Sequence, residues 1–128
     1  MMTYGRIKSR DREKGKGWQG FKTKMKSEGF ADLHQHVLWG LDDGPQTSEQ
    51  MRALLRQDVE EGIRLVFATA HAYPKLRAFD LALYRERLAE ANACCESEGW
   101  PLRVVPGCEI HYCPAVPDHL SAGRLPTL

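Results

Sequence analysis

One hundred and twenty-eight residues give room for one domain, and a 42% hydrophobic and 27% charged composition is ordinary for a globular chain. No stretch approaches the about 20 apolar residues of a membrane helix, and no apolar run follows the basic N-terminus, which speaks against a secretory signal. The net charge of +1 hides an uneven division: residues 1–29 carry nine Lys/Arg and three Asp/Glu, residues 30–128 nine and fourteen, so a head of +6 precedes a body of −5.

In chain order, residues 1–29 come first. They are poor in aliphatic side chains and lack a helical apolar stripe, so they read as a basic, disordered extension. A basic arm of this kind can reach nucleic acid or an acidic surface. Phe30–His34 is the first strand candidate. Thr47–Glu61 follows as a helix, with Met51, Leu54, Leu55 and Val59 on one side. Thr47 and Gln50 match a capping box, and Gly62 is a natural stop.

Arg64–Thr69 contains Leu65, Val66 and Phe67, a short apolar run of the kind found in buried strands. Asp80 can cap a second helix reaching about Glu98, with Leu81, Tyr84, Leu88 and Ala91 facing inward and Gly99 ending it. Leu102–Val105 is a third strand, and Val116–Leu120 one more helical turn. Strands alternating with helices over short connections predict an α/β fold with parallel strands and right-handed crossovers.

Four places carry chemistry. Asp32-Leu33-His34-Gln35-His36 puts two imidazoles at alternate positions of an extended segment, where they and Asp32 share a face. Gly40-Leu41-Asp42-Asp43-Gly44 is a turn-rich loop with two carboxylates. Ala68-Thr69-Ala70-His71 follows the second strand, and Pro106-Gly107-Cys108-Glu109-Ile110 the third. Each alone also suits an ordinary surface turn or strand end. Together they deliver His, His, Asp, His and Glu to the C-terminal edge of a parallel sheet, where α/β folds build their sites. Mixed imidazole and carboxylate donors suit Mn, Fe or Zn. The four cysteines form no CxxC pair and read as reduced packing residues.

In order, D-L-H-Q-H, G-L-D-D-G-P, A-T-A-H, P-G-C-E-I and G-R-L-P-T-L resemble the motifs of the PHP family, in its branch of bacterial protein-tyrosine phosphatases acting in capsule and exopolysaccharide control. The resemblance covers residues 30–128 and implies the N-terminal part of a distorted (β/α) barrel. It implies up to three divalent ions, manganese first among the candidates, with His34 and His36 on one ion, Glu109 bridging two, and Asp43 and His71 on another. The implied reaction is phosphomonoester hydrolysis by a metal-bound hydroxide, without a cysteine nucleophile. The implied substrate is a phosphotyrosine protein, in this branch an autophosphorylated tyrosine kinase, and the implied setting is the cytoplasm.

The chain departs from the family pattern at Ala72, where a second His is usual. The family's later ligands and phosphate-binding arginines have no counterpart within these residues, so little turnover by this chain alone is the expectation. Two other readings stand beside it: a PHP phosphoesterase for a small molecule such as histidinol phosphate, and a non-catalytic interaction module with a basic head.

Overall fold

The structure is a computed structural model that describes residues 4–7 and 28–128. Its elements are β1 (Tyr4–Ile7), β2 (Gly29–Gln35), α1 (Ser48–Glu60), β3 (Ile63–Ala72), α2 (Leu81–Ser97), β4 (Arg103–Ile110) and α3 (Val116–Ser121). They form one sheet in the order β1-β2-β3-β4. Strands β2, β3 and β4 are parallel, as the alternation of strands and helices predicts. The sheet advances one strand at a time, so right-handed crossovers put α1 and α2 on the same face. There α1 packs on β3, α2 on β4, and the helices touch each other.

Strand β1 runs antiparallel along the outer edge of β2, with Tyr4 opposite Asp32 and Ile7 opposite Gly29. At these four positions the chain departs from the disordered extension expected over 1–29. Residues 1–3 and 8–27 of that extension lie outside the described residues, and with them most of the basic head's proposed contact with nucleic acid.

Local signals explain where the helices begin and end. The Thr47 hydroxyl accepts from the Gln50 N–H at 3.2 Å, a cap worth about 1 kcal/mol. The reciprocal half of the expected box shifts by one residue, because Gln50 Oε1 accepts from the Gln46 N–H at 2.7 Å instead. Gly62, at φ 85°, takes the chain from α1 into β3 through a conformation that a side chain would disfavour. Asp80 caps α2 by accepting from the Leu83 N–H at 3.0 Å.

The core lies between the helices and the sheet. Met51 and Leu55 of α1 and Tyr84, Ala91 and Cys95 of α2 are buried against Ile63, Val66 and Val104. Two polar side chains secure β4. Asn92 donates to the Val104 carbonyl at 2.9 Å and accepts from the Val104 N–H at 3.0 Å, satisfying backbone groups of an edge strand. The Tyr84 hydroxyl donates to the Ala68 carbonyl at 2.7 Å and accepts from the Gly107 N–H at 3.0 Å. It enters the ladder beside Pro106, which has no N–H to offer.

The four cysteines are free thiols, with Cys95 and Cys113 buried. Burial pushes the Cys95 and Cys108 thiols up to about 11, so both are protonated at neutral pH.

Candidate metal centre

Strands β3 and β4 pair without interruption from Leu65–Arg103 to Ala72–Ile110, and this register sets His71 opposite Glu109. Both residues lie inside their strands, whereas the sequence reading ends those strands at Thr69 and Val105 and places both residues just beyond them. The apolar runs end early at Phe67 and Val105, and the strands continue through Ala, Thr, Gly and Pro. Apart from Thr69, those residues have little β preference of their own, and the ladder supplies what propensity does not.

Strand β2 brings His34 and His36 to the same rim through an irregularity. Its pairing with β3 steps from Asp32–Val66 to Gln35–Ala68, so three residues of β2 span two of β3. The extra residue breaks the strict alternation expected of Asp32, His34 and His36. Asp32 is fully buried, as is Gln35 nearly so. The Asp32 carboxylate accepts from the His34 N–H at 3.0 Å and from Gln35 Nε2 at 3.3 Å. Gln35 Nε2 also reaches Asp58 Oδ1 of α1 at 2.9 Å. Asp32 therefore holds the backbone beneath the two histidines instead of facing out beside them.

The five side chains singled out from the sequence are brought together. His36 Nε2 lies 2.8 Å from Glu109 Oε2 and 3.3 Å from His34 Nε2, and His34 Nε2 lies 3.3 Å from the same carboxylate oxygen. On the other side, His36 Nδ1 is 3.0 Å from Asp43 Oδ1, which is 3.3 Å from His71 Nε2. His71 Nδ1 is 3.4 Å from Glu109 Oε2 and closes the ring of contacts. Two overlapping donor groups result, His34–His36–Glu109 and His36–Asp43–His71. Glu109 keeps 40% of its side chain exposed, so it is not the buried carboxylate that its neighbours Cys108 and Ile110 suggest.

Asp42 is the residue sequence reading passes over. Its side chain is 4% exposed against 75% for Asp43. Its Oδ1 accepts from the Gly44 N–H at 3.0 Å, its Oδ2 accepts from the His71 N–H at 2.9 Å, and that same oxygen lies 3.2 Å from His36 Nδ1. Asp42 thus ties the loop after β2 to the end of β3. The available signal was the Asp-Asp-Gly turn itself, in which an Asp often bonds the backbone two residues on.

The donor chemistry fits a metal ion. Nitrogen and oxygen ligands sit about 2.0–2.2 Å from a metal such as zinc, which spaces neighbouring ligand atoms roughly 3 Å apart, as these are. A carboxylate contact at Nδ1 of His36 selects the tautomer whose Nε2 lone pair faces Glu109 and His34, the orienting role carboxylates play behind metal-bound histidines. The His36 hydrogen bond holds the Asp43 carboxyl below its ordinary value, which keeps it an ionised donor.

The family model for capsular polysaccharide synthesis, CpsB/CapC, matches residues 30–128. The chain belongs to the CpsB/CapC family. Within that family it is similar to the tyrosine-protein phosphatase CpsB of Streptococcus pneumoniae, 26% identical over 97 residues that make up 76% of this chain and 40% of that protein. It is also similar to the tyrosine-protein phosphatase YwqE of Bacillus subtilis, 33% identical over 97 residues, 76% of this chain and 38% of that protein. A solved structure from work on YwqE and CpsB, described as unique metal-dependent tyrosine phosphatases, matches with a TM-score of 0.67 at 33% identity, covering 74% of this chain and 38% of that one. The fold is therefore the CpsB/YwqE arrangement of parallel strands alternating with helices. The chain spans about two fifths of the length of the curated CpsB and YwqE relatives it matches.

Proposed function

We propose that residues 30–128 carry the N-terminal metal-binding portion of a PHP-type barrel whose activity is hydrolysis of phosphotyrosine in proteins. The observation that carries this reading is the convergence of His34, His36, Asp43, His71 and Glu109 along one rim, each within 2.8–3.4 Å of at least one other. The names of the CpsB/CapC relatives supply the substrate class.

In this reading His34, His36 and Glu109 would hold one divalent ion and Asp43 and His71 another, with Glu109 free to serve more than one ion through its two oxygens. Manganese is the ion we assign, with iron and zinc sharing the donor preference. When bound, such ions would supply Lewis acidity toward phosphoryl oxygens and toward water. The chain's own part is positioning: Asp42 and Asp43 orient the His36 ring, and Asp32 fixes the backbone at His34. Cys108, beside Glu109, has no nucleophilic role in this reading, since burial keeps its thiol protonated. The partner in this reading is an autophosphorylated tyrosine kinase met in the cytoplasm. Among the described residues no helix is long and apolar enough to cross a membrane.

The test is equilibrium binding of a phosphotyrosyl peptide to the chain with and without manganese, with release of inorganic phosphate followed in parallel. The expected result is manganese-dependent binding, displaced by inorganic phosphate and lost in His36→Ala. Binding that ignores manganese and survives His36→Ala contradicts the proposal.

A further inference from the structure

Beside the metal centre lies a groove of about 160 Å3. His71 forms one wall, which joins the groove to the donor cluster. Leu41 from the loop after β2, Tyr73, Arg77 and Phe79 from the segment leading into α2, and Leu83 from α2 itself line it further. The lining sets apolar and aromatic side chains beside polar ones, Arg77 among them, a mixture that suits an apolar group carried by an anionic ligand.

The aromatic wall is ordered by contacts. The Tyr73 ring stacks on the His71 imidazole, with centroids 5.4 Å apart and planes at 23°. The Arg77 guanidinium lies 5.8 Å from the Tyr73 ring centroid. Phe79 packs against the buried Tyr84 at 5.5 Å, which fixes the floor of the groove to the core. Arg77 makes no ion pair with a carboxylate among the described residues and is exposed at the rim. Asp80 also borders the groove, but its carboxylate is occupied in capping α2.

We infer that this groove receives the aryl group of a phosphate monoester, with Tyr73 and Arg77 as the residues that favour aryl esters over free phosphate. The inference rests on the metal-centre reading above, since the phosphoryl group must be held at the His71 and Asp43 end. The groove that an ester substituent would meet beside His71 is lined by Leu41 and Phe79. An aromatic ring gains there from apolar burial and from the guanidinium, which attracts a π face.

The experiment compares inorganic phosphate with phenyl phosphate, each titrated calorimetrically into the manganese-loaded chain. Phenyl phosphate is expected to bind about tenfold tighter, the effect of burying part of one ring. Tyr73→Ala and Arg77→Gln are each expected to remove most of that advantage, and Arg77→Gln to leave inorganic phosphate unchanged. Arg77 is exposed, so its variant reports on binding even where Tyr73→Ala perturbs the loop. Equal affinity for the two ligands, or an advantage that survives both substitutions, overturns the groove assignment. Failure of inorganic phosphate itself to bind the manganese-loaded chain instead overturns the metal-centre reading, and with it this inference.

Discussion

Nε2 of His36 stands 2.8 Å from Oε2 of Glu109, although 73 positions separate the two residues. Strand β2 and strand β4 are not neighbours; β3 lies between them, and His71 from that strand touches the same carboxylate. Glu109 is therefore the meeting point of all three parallel strands. The strand ends and the Asp42–Asp43 loop after β2 together assemble the centre.

Asp42 should matter as much as a direct ligand. Asp42→Ala removes the acceptor of the His71 N–H and a carboxylate contact of His36. Loss of such an orienting carboxylate typically weakens metal affinity about 10–100-fold. Calorimetric titration of manganese into the variant checks this, and the melting temperature of the metal-free chain separates positioning from general loss of fold.

Gly44 has no room for a side chain. A Cβ there would stand 2.3 Å from the His36 carbonyl oxygen, a backbone atom that cannot swing aside. Gly44→Ala must push the Asp42–Asp43 loop away from His36. Its manganese affinity is expected to fall by a factor comparable to that of Asp42→Ala, whereas Gly40→Ala, where nothing lies within 4 Å, strains only the local positive φ. The same titration, run on both variants, measures the difference.

Tyr84 carries a structural prediction. Tyr84→Phe keeps the ring and removes the hydroxyl between β3 and β4, leaving the Ala68 carbonyl and the Gly107 N–H without that partner. An unsatisfied buried group costs about 1–3 kcal/mol. Urea unfolding should show a loss in that range with an unchanged slope, since the surface exposed on unfolding stays the same.

Asp58 predicts a pH dependence. Burial pushes its carboxyl up to about 6 from an ordinary 3.8, with the Asp32 and Glu61 charges adding to the shift and the Gln35 hydrogen bond opposing it. The folded chain then holds a proton that the unfolded chain has released. The stability from this group is fully present below pH 3.8 and is lost as pH rises through about 6. In Asp58→Asn that loss is absent. The stability difference between the two chains, measured by denaturant titration from pH 4 to pH 7, should move in the variant's favour across this window. A constant difference contradicts the assignment.

The parts legible in the sequence were those with local causes. Thr47, Gly62, Asp80 and Gly99 punctuate the two long helices, and the stripes through Met51–Leu55 and Tyr84–Ala91 do face the core. The five candidate donors were legible as residue types near the strand ends, and the structure gathers their side chains. What stayed hidden depends on pairing between distant segments. The ladder carries β4 through Pro106 and Gly107, which read locally as a turn. The extra residue between Asp32 and Gln35 turns Asp32 inward, and no residue of β2 alone announces it. Tyr4–Ile7 forms a strand only because β2 offers an edge. Asp42 and Asp43 are adjacent and chemically alike, and only burial tells the orienting carboxylate from the exposed donor.

The central claim is that one rim of this sheet binds divalent metal through residues from three strands. Its most direct test is the metal content of the purified chain after exposure to manganese and removal of free ion, with Glu109→Ala and His36→Ala treated identically. The account predicts bound manganese in the parent chain and a large loss in both variants, with each still folded by circular dichroism. A folded parent chain that retains no metal, or variants that retain as much as the parent, would contradict it.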